Sequence, residues 1–498
     1  MKKYIHLISF KTEKQKVISL CALGILSAFA MAPYYIVPFL CIGLSVLFYQ
    51  INHATKCWRA GLYAGAFGFG FGATSMAWLS NALMIDNGSV AWAIPFCLLG
   101  MGLLFGIFYA LPALMASFYK ADWRRFLAFA AWFVVFEWIR SWIFTGFPWN
   151  LIGSCWGNIL PILQTTSIIG IYGLSFITIL VCSSGAFLPK WKPILVAGCS
   201  IIVITLLGTW RLYDASNDNV WGVQLRLVQP NIAQSLKWDP NAADKNYSKI
   251  LRLSRENNEK ITHVIWPEAA VYFLIDQNED ERLRMMGAVK QGGTLIAGGL
   301  RGANPQKQQL TNSIFILDDF ADIKGYYDKS HLVPFGEYIP FREIIPLDKI
   351  VPIGGDLQKG NGLKTMYIPK APPASPLVCY EAIFSGQVVH RDKRPSWMIN
   401  VSNDAWYGLS AGPYQHFDMA RLRAIEEGLP MVRAANNGIS AIIDGYGRIV
   451  NSLDLGETGV VDGPLPKALP ATVYAKTGPY PILLLSFIII VFCIKRRK

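Results

Sequence analysis

Eight stretches of this chain are apolar over lengths that suit a lipid bilayer better than the core of a small water-soluble domain. Seven of them follow one another between Val17 and Trp210, at roughly 17–31, 34–50, 59–81, 91–118, 126–145, 162–188 and 194–210, and a shorter eighth lies at Pro481–Ile494. A helix needs about 20 residues to cross the hydrocarbon layer. The spacing therefore predicts seven crossings before residue 211 and one near the end. Composition agrees, since 53% of the 498 residues are hydrophobic and only 16% charged, less charge than a soluble domain carries.

The connections set the orientation. Lys2, Lys3, Lys11, Lys14 and Lys16 precede or open the first run, and alternate loops are basic: Lys56 and Arg59; Lys120, Arg124 and Arg125; Lys190 and Lys192. Loops such as 86–89 and 146–150 have no Lys or Arg. Because Lys and Arg are retained on the cytoplasmic side, the N-terminus is expected inside and the seventh helix leads outward. The tail Lys495, Arg496, Arg497 and Lys498 then returns the C-terminus to the inside. The same flanking positions account for many of the charges behind the net +13, so a nucleic-acid partner is excluded. A cleaved signal peptide is the alternative for the first run, but no small-x-small site followed by polar sequence accompanies it. In the fifth run Glu137 and Arg140 lie three apart and can pair on one helix face. A charge pair at membrane depth is either a functional site or a clamp between helices, and the clamp is the preferred reading.

From 212 to 474 the pattern changes to apolar runs of four to seven residues separated by Gly, Pro, Asn and Asp, the mark of an α/β domain. Strands are expected at Gln224–Val228, Thr262–Trp266, Thr294–Ala297, Ser313–Leu317, Lys324–Tyr327, Leu377–Tyr380, Trp397–Val401 and Ile439–Ile443. Helices are expected at Asn246–Glu259, Glu279–Lys290 and Tyr414–Gly428. The expected organisation is a membrane domain at 1–211, an extracytoplasmic domain at 212–474, and a last helix with its basic tail at 475–498.

Eight of the nine cysteines fall in or beside apolar runs and no CxxC spacing occurs, which indicates neither a disulfide framework nor a zinc site. Cys379 is the exception. It stands in Pro376–Phe384, PLVCYEAIF, where a strand hands over to a turn and a nucleophile can be both held and exposed. Taken alone, it is better read as the small buried hydrophobe that most unpaired cysteines are. Thr262–Ala270, THVIWPEAA, ends a strand at Pro267 and projects Glu268, as a solvated strand-end charge or as a general base. Asp328–Glu337, DKSHLVPFGE, places Lys329 at a strand end and Glu337 beyond a Pro-Phe-Gly turn. Lone lysines of this kind are mostly solvated.

In order and context, WPE, YDKSHLVPFGE and VCYE resemble the Glu-Lys-Cys signature of the nitrilase superfamily. QPNIAQSLKW (Gln229–Trp238), HLVPFGEYIPF and NVSNDAWYG (Asn400–Gly408), with seven helices before and one after, resemble its membrane-embedded branch, the apolipoprotein N-acyltransferases. The resemblance covers essentially the whole chain. It implies a polytopic α-helical membrane domain of about eight transmembrane helices joined to a nitrilase-like αββα sandwich. It further implies Cys379 as nucleophile, Glu268 as general base and Lys329 as stabiliser of the tetrahedral oxyanion, helped by a backbone N–H near Tyr380.

Glu337, Tyr380, Glu381 and Trp238 match further activity-related positions, and Asn403, Asp404 and Trp406 are expected to line the same pocket. Plainer roles stand beside these: Glu381 holding backbone, Tyr380 packing in the core, Trp238 anchoring at the membrane interface. His331 is expected to be structural and His416 to have no metal partner. The implied reaction takes an acyl chain from a phospholipid, stores it as a Cys379 thioester, and passes it to the N-terminal amine of a diacylglyceryl-modified apolipoprotein. It would run among membrane lipids on the periplasmic side of a bacterial inner membrane, with no metal or cofactor. The alternatives are a membrane-tethered amidase, in which water receives the acyl group, and a non-catalytic membrane binding protein. A gate is expected in Gln229–Asn241 or Leu332–Asp348, whose apolar residues otherwise serve to seat the domain on the membrane.

Overall fold

The computed structural model describes residues 12–85, 88, 90–304, 309–340 and 356–494. They form two compact units, one from Met1–Ser80, Val90–Asp214 and Val473–Lys498, the other from Asn81–Ser89 and Ala215–Thr472. Lys2, Lys3, Lys11 and the tail 495–498, used above for orientation, lie outside the described residues.

In the first unit each apolar run holds a helix: α1 (Glu13–Ala28), α2 (Val37–Asn52), α3 (Cys57–Ser75), α4 (Ile94–Ala116), α5 (Trp123–Arg140), α6 (Thr166–Ser183), α7 (Lys192–Tyr213) and the C-terminal Tyr480–Cys493. Three helical stretches, Ala91–Ala116, Thr166–Phe187 and Lys192–Tyr213, are long and apolar enough to cross a membrane, while Val37–Asn52 and Tyr480–Cys493 are apolar but shorter. Among the described residues, length and composition thus mark three candidate spans where eight were expected. The shortfall has visible causes: α1 opens with Glu13, Lys14 and Lys16, α3 is diluted by glycine, and α5 carries Arg124, Arg125, Glu137 and Arg140. On α7, Leu195, Val196, Ile202, Leu206 and Leu207 are all exposed. An apolar surface of that extent is stable against lipid rather than water.

The charges of α5 are spent on backbone. Arg125 donates to the carbonyls of Ile51, Asn52, Ser117 and Tyr119. Arg140 donates to those of Phe147 and Trp149, and Glu137 Oε1 accepts from the Ile152 N–H at 2.7 Å. Glu137 and Arg140 therefore hold the backbone of the irregular stretch 147–152. The structural role expected of this pair is thus met with a different partner, the backbone of the following stretch in place of a second helix. Helices α1 and α3 approach so closely that a Cβ on Gly70 would run into the Cys21 carbonyl, the usual use of small residues between membrane helices.

The second unit is a sandwich of two six-stranded sheets. The first is built from β1 (Asn219–Gln229), β2 (His263–Trp266), β3 (Thr294–Asn304), β4 (Gln309–Leu317) and β5 (Ile323–Asp328). The second takes β6 (Met366–Ile368), β7 (Ala371–Val378), β8 (Trp397–Ser402), β9 (Met431–Ala435), β10 (Ser440–Ile443) and β11 (Ile449–Leu453). β12 (Gly459–Pro466) returns to the first sheet beside β1, giving the orders β12-β1-β2-β3-β4-β5 and β11-β10-β9-β8-β7-β6. Each sheet has three parallel strands, β1-β2-β3 and β7-β8-β9, flanked by antiparallel ones.

Leu225, Ile265, Ile296 and Ile314 meet Val378, Trp397, Ile399 and Val432 in the core between the sheets. Helix α8 (Pro240–Arg255) covers the first sheet through Tyr247 and Ile250, and α9 (Glu279–Met285) adds Met285. Helix α10 (Ala411–Glu427) covers the second through Phe417, Ala420 and Ala424. This is the expected αββα arrangement. The helices differ at their ends: α8 begins at Pro240, where Asp239 caps the Asn241 N–H, and α9 stops at Met285. The strand expected at Leu377–Tyr380 ends at Val378, because Cys379 takes φ +51° and opens a single 3₁₀ turn, Cys379–Ile383. A left-handed backbone at a non-glycine residue is a costly conformation that persists only where its surroundings enforce it.

Candidate active site

Glu268 and Lys329 each stand one or two residues past the end of a strand, β2 and β5, and Cys379 immediately follows β7. The Pro267-Glu268 turn lies directly on β3. A Cβ on Gly298 would sit 2.7 Å from Glu268 Cα and collide with the Pro267 carbonyl, while the Ala270 N–H donates to the Gly298 carbonyl at 2.9 Å. Lys329, 1% exposed, places its Nζ 2.8 Å from Glu337 Oε2 and 3.7 Å from Glu268 Oε1. Glu337 is fixed in turn by the Val333 N–H at 2.8 Å. Burial opposes the charge on Lys329, but Glu337 and Glu268 outweigh it and hold the ammonium above the usual lysine range.

Asn312, on β4, was not foreseen. Its Nδ2 donates to Glu268 Oε1 at 2.7 Å and to Glu337 Oε1 at 3.2 Å, and its backbone carbonyl accepts from the backbone N–H of Lys329 at 2.8 Å. One amide thereby sets the spacing of base, cation and second carboxylate. Lys237 was likewise passed over. Its Nζ donates to the Glu268 carbonyl at 2.8 Å, and burial brings it down to about 8 while the charges of Glu268 and Cys379 oppose the drop.

The Cys379 thiol is buried, which together with the Glu268 charge pushes it up to about 12 against the opposing pull of Lys329. It is a protonated thiol at neutral pH, and nucleophilic attack requires that a base remove the proton. Its carbonyl is held by Asn400 Nδ2 at 3.3 Å and faces His416 Nε2 at 3.1 Å.

Glu381 joins the nucleophile's strand end to that of the lysine. Its Oε2 accepts from the Val378 N–H at 2.7 Å, and its Oε1 accepts from the N–H groups of Ser330 and His331 and the hydroxyls of Ser330 and Tyr327. The plainer role expected for Glu381, holding backbone, is the one its contacts match. Tyr380 packs on Phe384 with ring centroids 5.2 Å apart, and His331 stacks on the same ring at 3.9 Å. Asn403 donates to Gln234 and accepts from Asn436, so its amide joins two loops. Trp238 and Trp406 are half-buried. Of the two stretches expected to gate the site, Gln229–Asn241 is tied at Asn231 and Ile232 by N–H donations to Asn436 and at Lys237 by the bond to Glu268, and residues 341–348 of Leu332–Asp348 lie outside the described residues.

Among the described residues, Cys379, Asp404 and His416 bring metal-type donor atoms within 4.8 Å of one another. His416 thus has ligand-type neighbours. The set does not fit an ion: Arg433 donates to Asp404 Oδ2 at 2.7 Å, Ser402 Oγ and His416 Nδ1 each lie 2.9 Å from Asp404 Oδ1, and the other imidazole nitrogen faces a carbonyl. A guanidinium already supplies the positive charge.

An αββα sandwich whose strand ends bring together a glutamate, a lysine and a buried cysteine defines the nitrilase-like, carbon-nitrogen hydrolase class. The carbon-nitrogen hydrolase family model matches residues 224–471, and that of the apolipoprotein N-acyltransferase N-terminal domain matches residues 23–184. An apolipoprotein N-acyltransferase of Bradyrhizobium diazoefficiens is 36% identical over 502 residues, covering 95% of this chain and 94% of its own. One from Rickettsia bellii is 40% identical over 486 residues, with 95% and 96% covered. The chain belongs to the apolipoprotein N-acyltransferase family. Among solved structures, an amidase from Nesterenkonia sp. matches over 51% of this chain and 94% of its own, at 17% identity and a TM-score of 0.36.

Proposed function

We propose that this chain transfers an acyl group from a membrane phospholipid, through a Cys379 thioester, to the N-terminal amine of a diacylglyceryl-cysteine on an apolipoprotein. The observation that carries the mechanism is Lys329 Nζ at 3.7 Å from Glu268, with both charges acting on the Cys379 thiol. Glu268 takes the thiol proton as sulfur attacks the ester carbonyl carbon, and the oxyanion so formed meets Lys329 and a backbone N–H near Tyr380. The intermediate collapses with loss of the lysophospholipid alkoxide, which leaves with the proton from Glu268. In the second half-reaction the unprotonated amine attacks the thioester, its proton passes to Glu268, and sulfur is expelled and reprotonated.

Glu337, Asn312 and Glu381 position these groups, and Trp238, Tyr380 and Trp406 are assigned to the substrate-facing side. Domain limits of 1–211, 212–474 and 475–498 go with the reading, as do eight crossings of a bacterial inner membrane and a periplasmic catalytic domain. Confinement to one surface raises the effective concentration of two substrates that never leave the bilayer.

Intact-mass analysis after incubation with phospholipid alone tests the reading. The enzyme is expected to gain one acyl mass on Cys379, keep it in water, and lose it on addition of a diacylglyceryl-cysteine peptide. Cys379→Ser should gain none. Loss of the acyl group to water at the same rate with and without the amine would favour the membrane-tethered amidase instead.

A further inference from the structure

Behind the nucleophile lies a buried polar network that the mechanism above leaves unused. Ser402, the last residue of β8 and fully buried, has one hydroxyl hydrogen and two acceptors: Asp404 Oδ1 at 2.9 Å and Cys379 Sγ at 3.4 Å. Arg433 donates to the same hydroxyl oxygen at 3.3 Å and to Asp404 Oδ2 at 2.7 Å, and its other amino group bonds Asn400. Asp404 therefore keeps its main cationic partner whether or not the serine hydrogen points at it. Burial works against its charge, but Arg433 and His416 hold it well below the usual carboxylate range.

We infer that Ser402 is a further catalytic residue: its hydroxyl hydrogen, turned toward Asp404 while Cys379 carries its proton, rotates to Sγ as the sulfur becomes negative. No atom is exchanged in this step. When the S–H proton passes to Glu268 the sulfur gains a lone pair and a charge, and the rotated O–H donates to it. Arg433, donating into the serine oxygen, strengthens that bond, since chains of hydrogen bonds polarise one another in a low-dielectric interior. The same donor then receives the sulfur as leaving group in the second half-reaction. A protonated thiol needs such help, because Lys329 is shared with two carboxylates. The titratable and charged groups near the thiol are Glu268, Lys329, Lys237, Asp404, His416 and Tyr407, with Arg433 behind Asp404 and His416. Ser402 combines a neutral donor with direct contact to sulfur.

The inference rests on Cys379 being the nucleophile, and the experiment separates the two. Ser402→Ala, Ser402→Thr and Ser402→Val are made in the full-length protein in detergent. Acylation by phospholipid is followed by intact mass, and Cys379 alkylation by iodoacetamide is followed against pH by peptide mass. Thr and Val match in shape and differ in the hydroxyl, so packing effects cancel between them. Ser402→Thr should follow the parent, while Ser402→Ala and Ser402→Val acylate on the order of tenfold more slowly, the scale of a hydrogen bond to a charged group. Their alkylation profiles should move to higher pH. Identical rates and profiles for the Thr and Val variants overturn the role of Ser402 and leave the nucleophile standing. A parent enzyme that takes no acyl group on Cys379 overturns the underlying reading.

Discussion

Lysine has three N–H donors, and Lys329 directs them into a space already occupied by Glu337 and Glu268, so what remains for an oxyanion is set by how those carboxylates are held. Asn312 holds both, and nothing in the sequence marks it, because a single amide in the apolar strand LTNSIFIL reads as an interruption of the pattern. Glu268, Lys329 and Cys379 were legible through the wording of three strand ends taken together; alone, each had a plainer reading. Lys237 stayed hidden because its partner is the carbonyl of a residue 31 positions away. The position of Cys379 near 12 makes a prediction about the base. In Glu268→Gln the thiol must ionise unaided, and removing the neighbouring carboxylate lowers its titration only in part. Acylation at pH 7 should drop by about a hundredfold or more. Between pH 7 and 9 the variant should then recover by roughly tenfold per pH unit, as the thiolate fraction grows below the thiol's own titration. Burst acylation read by intact mass decides it: a variant rate that stays flat with pH would mean that Glu268 is not the group that takes the thiol proton.

At the scale of elements, eight strands and three helices of the α/β unit were expected near where they lie, and four strands were missed. β6 has three residues, β9 contains the buried Arg433, β11 is largely exposed and so lacks an apolar face, and β12 carries Gly and Pro in its pairing. β7 was caught only at its end because Pro372, Pro373 and Pro376 read as strand breakers. Helix α10 shows a cost that its sequence conceals. Glu426 and Glu427 are adjacent and both buried, with Glu426 taken by Arg423 at 3.0 Å and by the Ser385 hydroxyl. Burial, and then the charge of Glu426, raises Glu427 from 4.5 to about 7. A carboxyl raised in the folded state contributes stability that is fully present below about pH 4.5 and is lost as pH rises through 7, because the ionised form is the one that burial disfavours. Glu427→Gln should therefore match the parent's unfolding free energy near pH 4.5 and exceed it at pH 8 by on the order of 1–3 kcal/mol, read as a higher thermal midpoint at pH 8 only. A variant less stable than the parent at pH 8 would show that the Arg391 and Arg394 charges nearby dominate instead.

For the whole molecule, the side of the membrane on which chemistry occurs is written in the loop charges and not in the packing. Helices such as α1 and α5 carry charges that take them below the composition of a simple span, yet α5 satisfies Arg125 and Arg140 with backbone carbonyls. The basic loop at Lys190 and Lys192, just before the apolar α7, is then expected to face the cytoplasm, and the chain after Tyr213 the opposite side. Both substrates in the proposed reaction are lipid-anchored, and an acceptor exported before its amine is modified meets the enzyme only if residues 212–474 lie outside. Single cysteines at Lys190 and at the exposed Glu279 test this in spheroplasts with a membrane-impermeant maleimide. Glu279→Cys should label in intact spheroplasts, and Lys190→Cys only once the membrane is permeabilised. The reverse pattern would turn the topology over and with it the access of an exported acceptor to Cys379, leaving a cysteine acyl-transfer site that faces the cytoplasm and must take its amine from there.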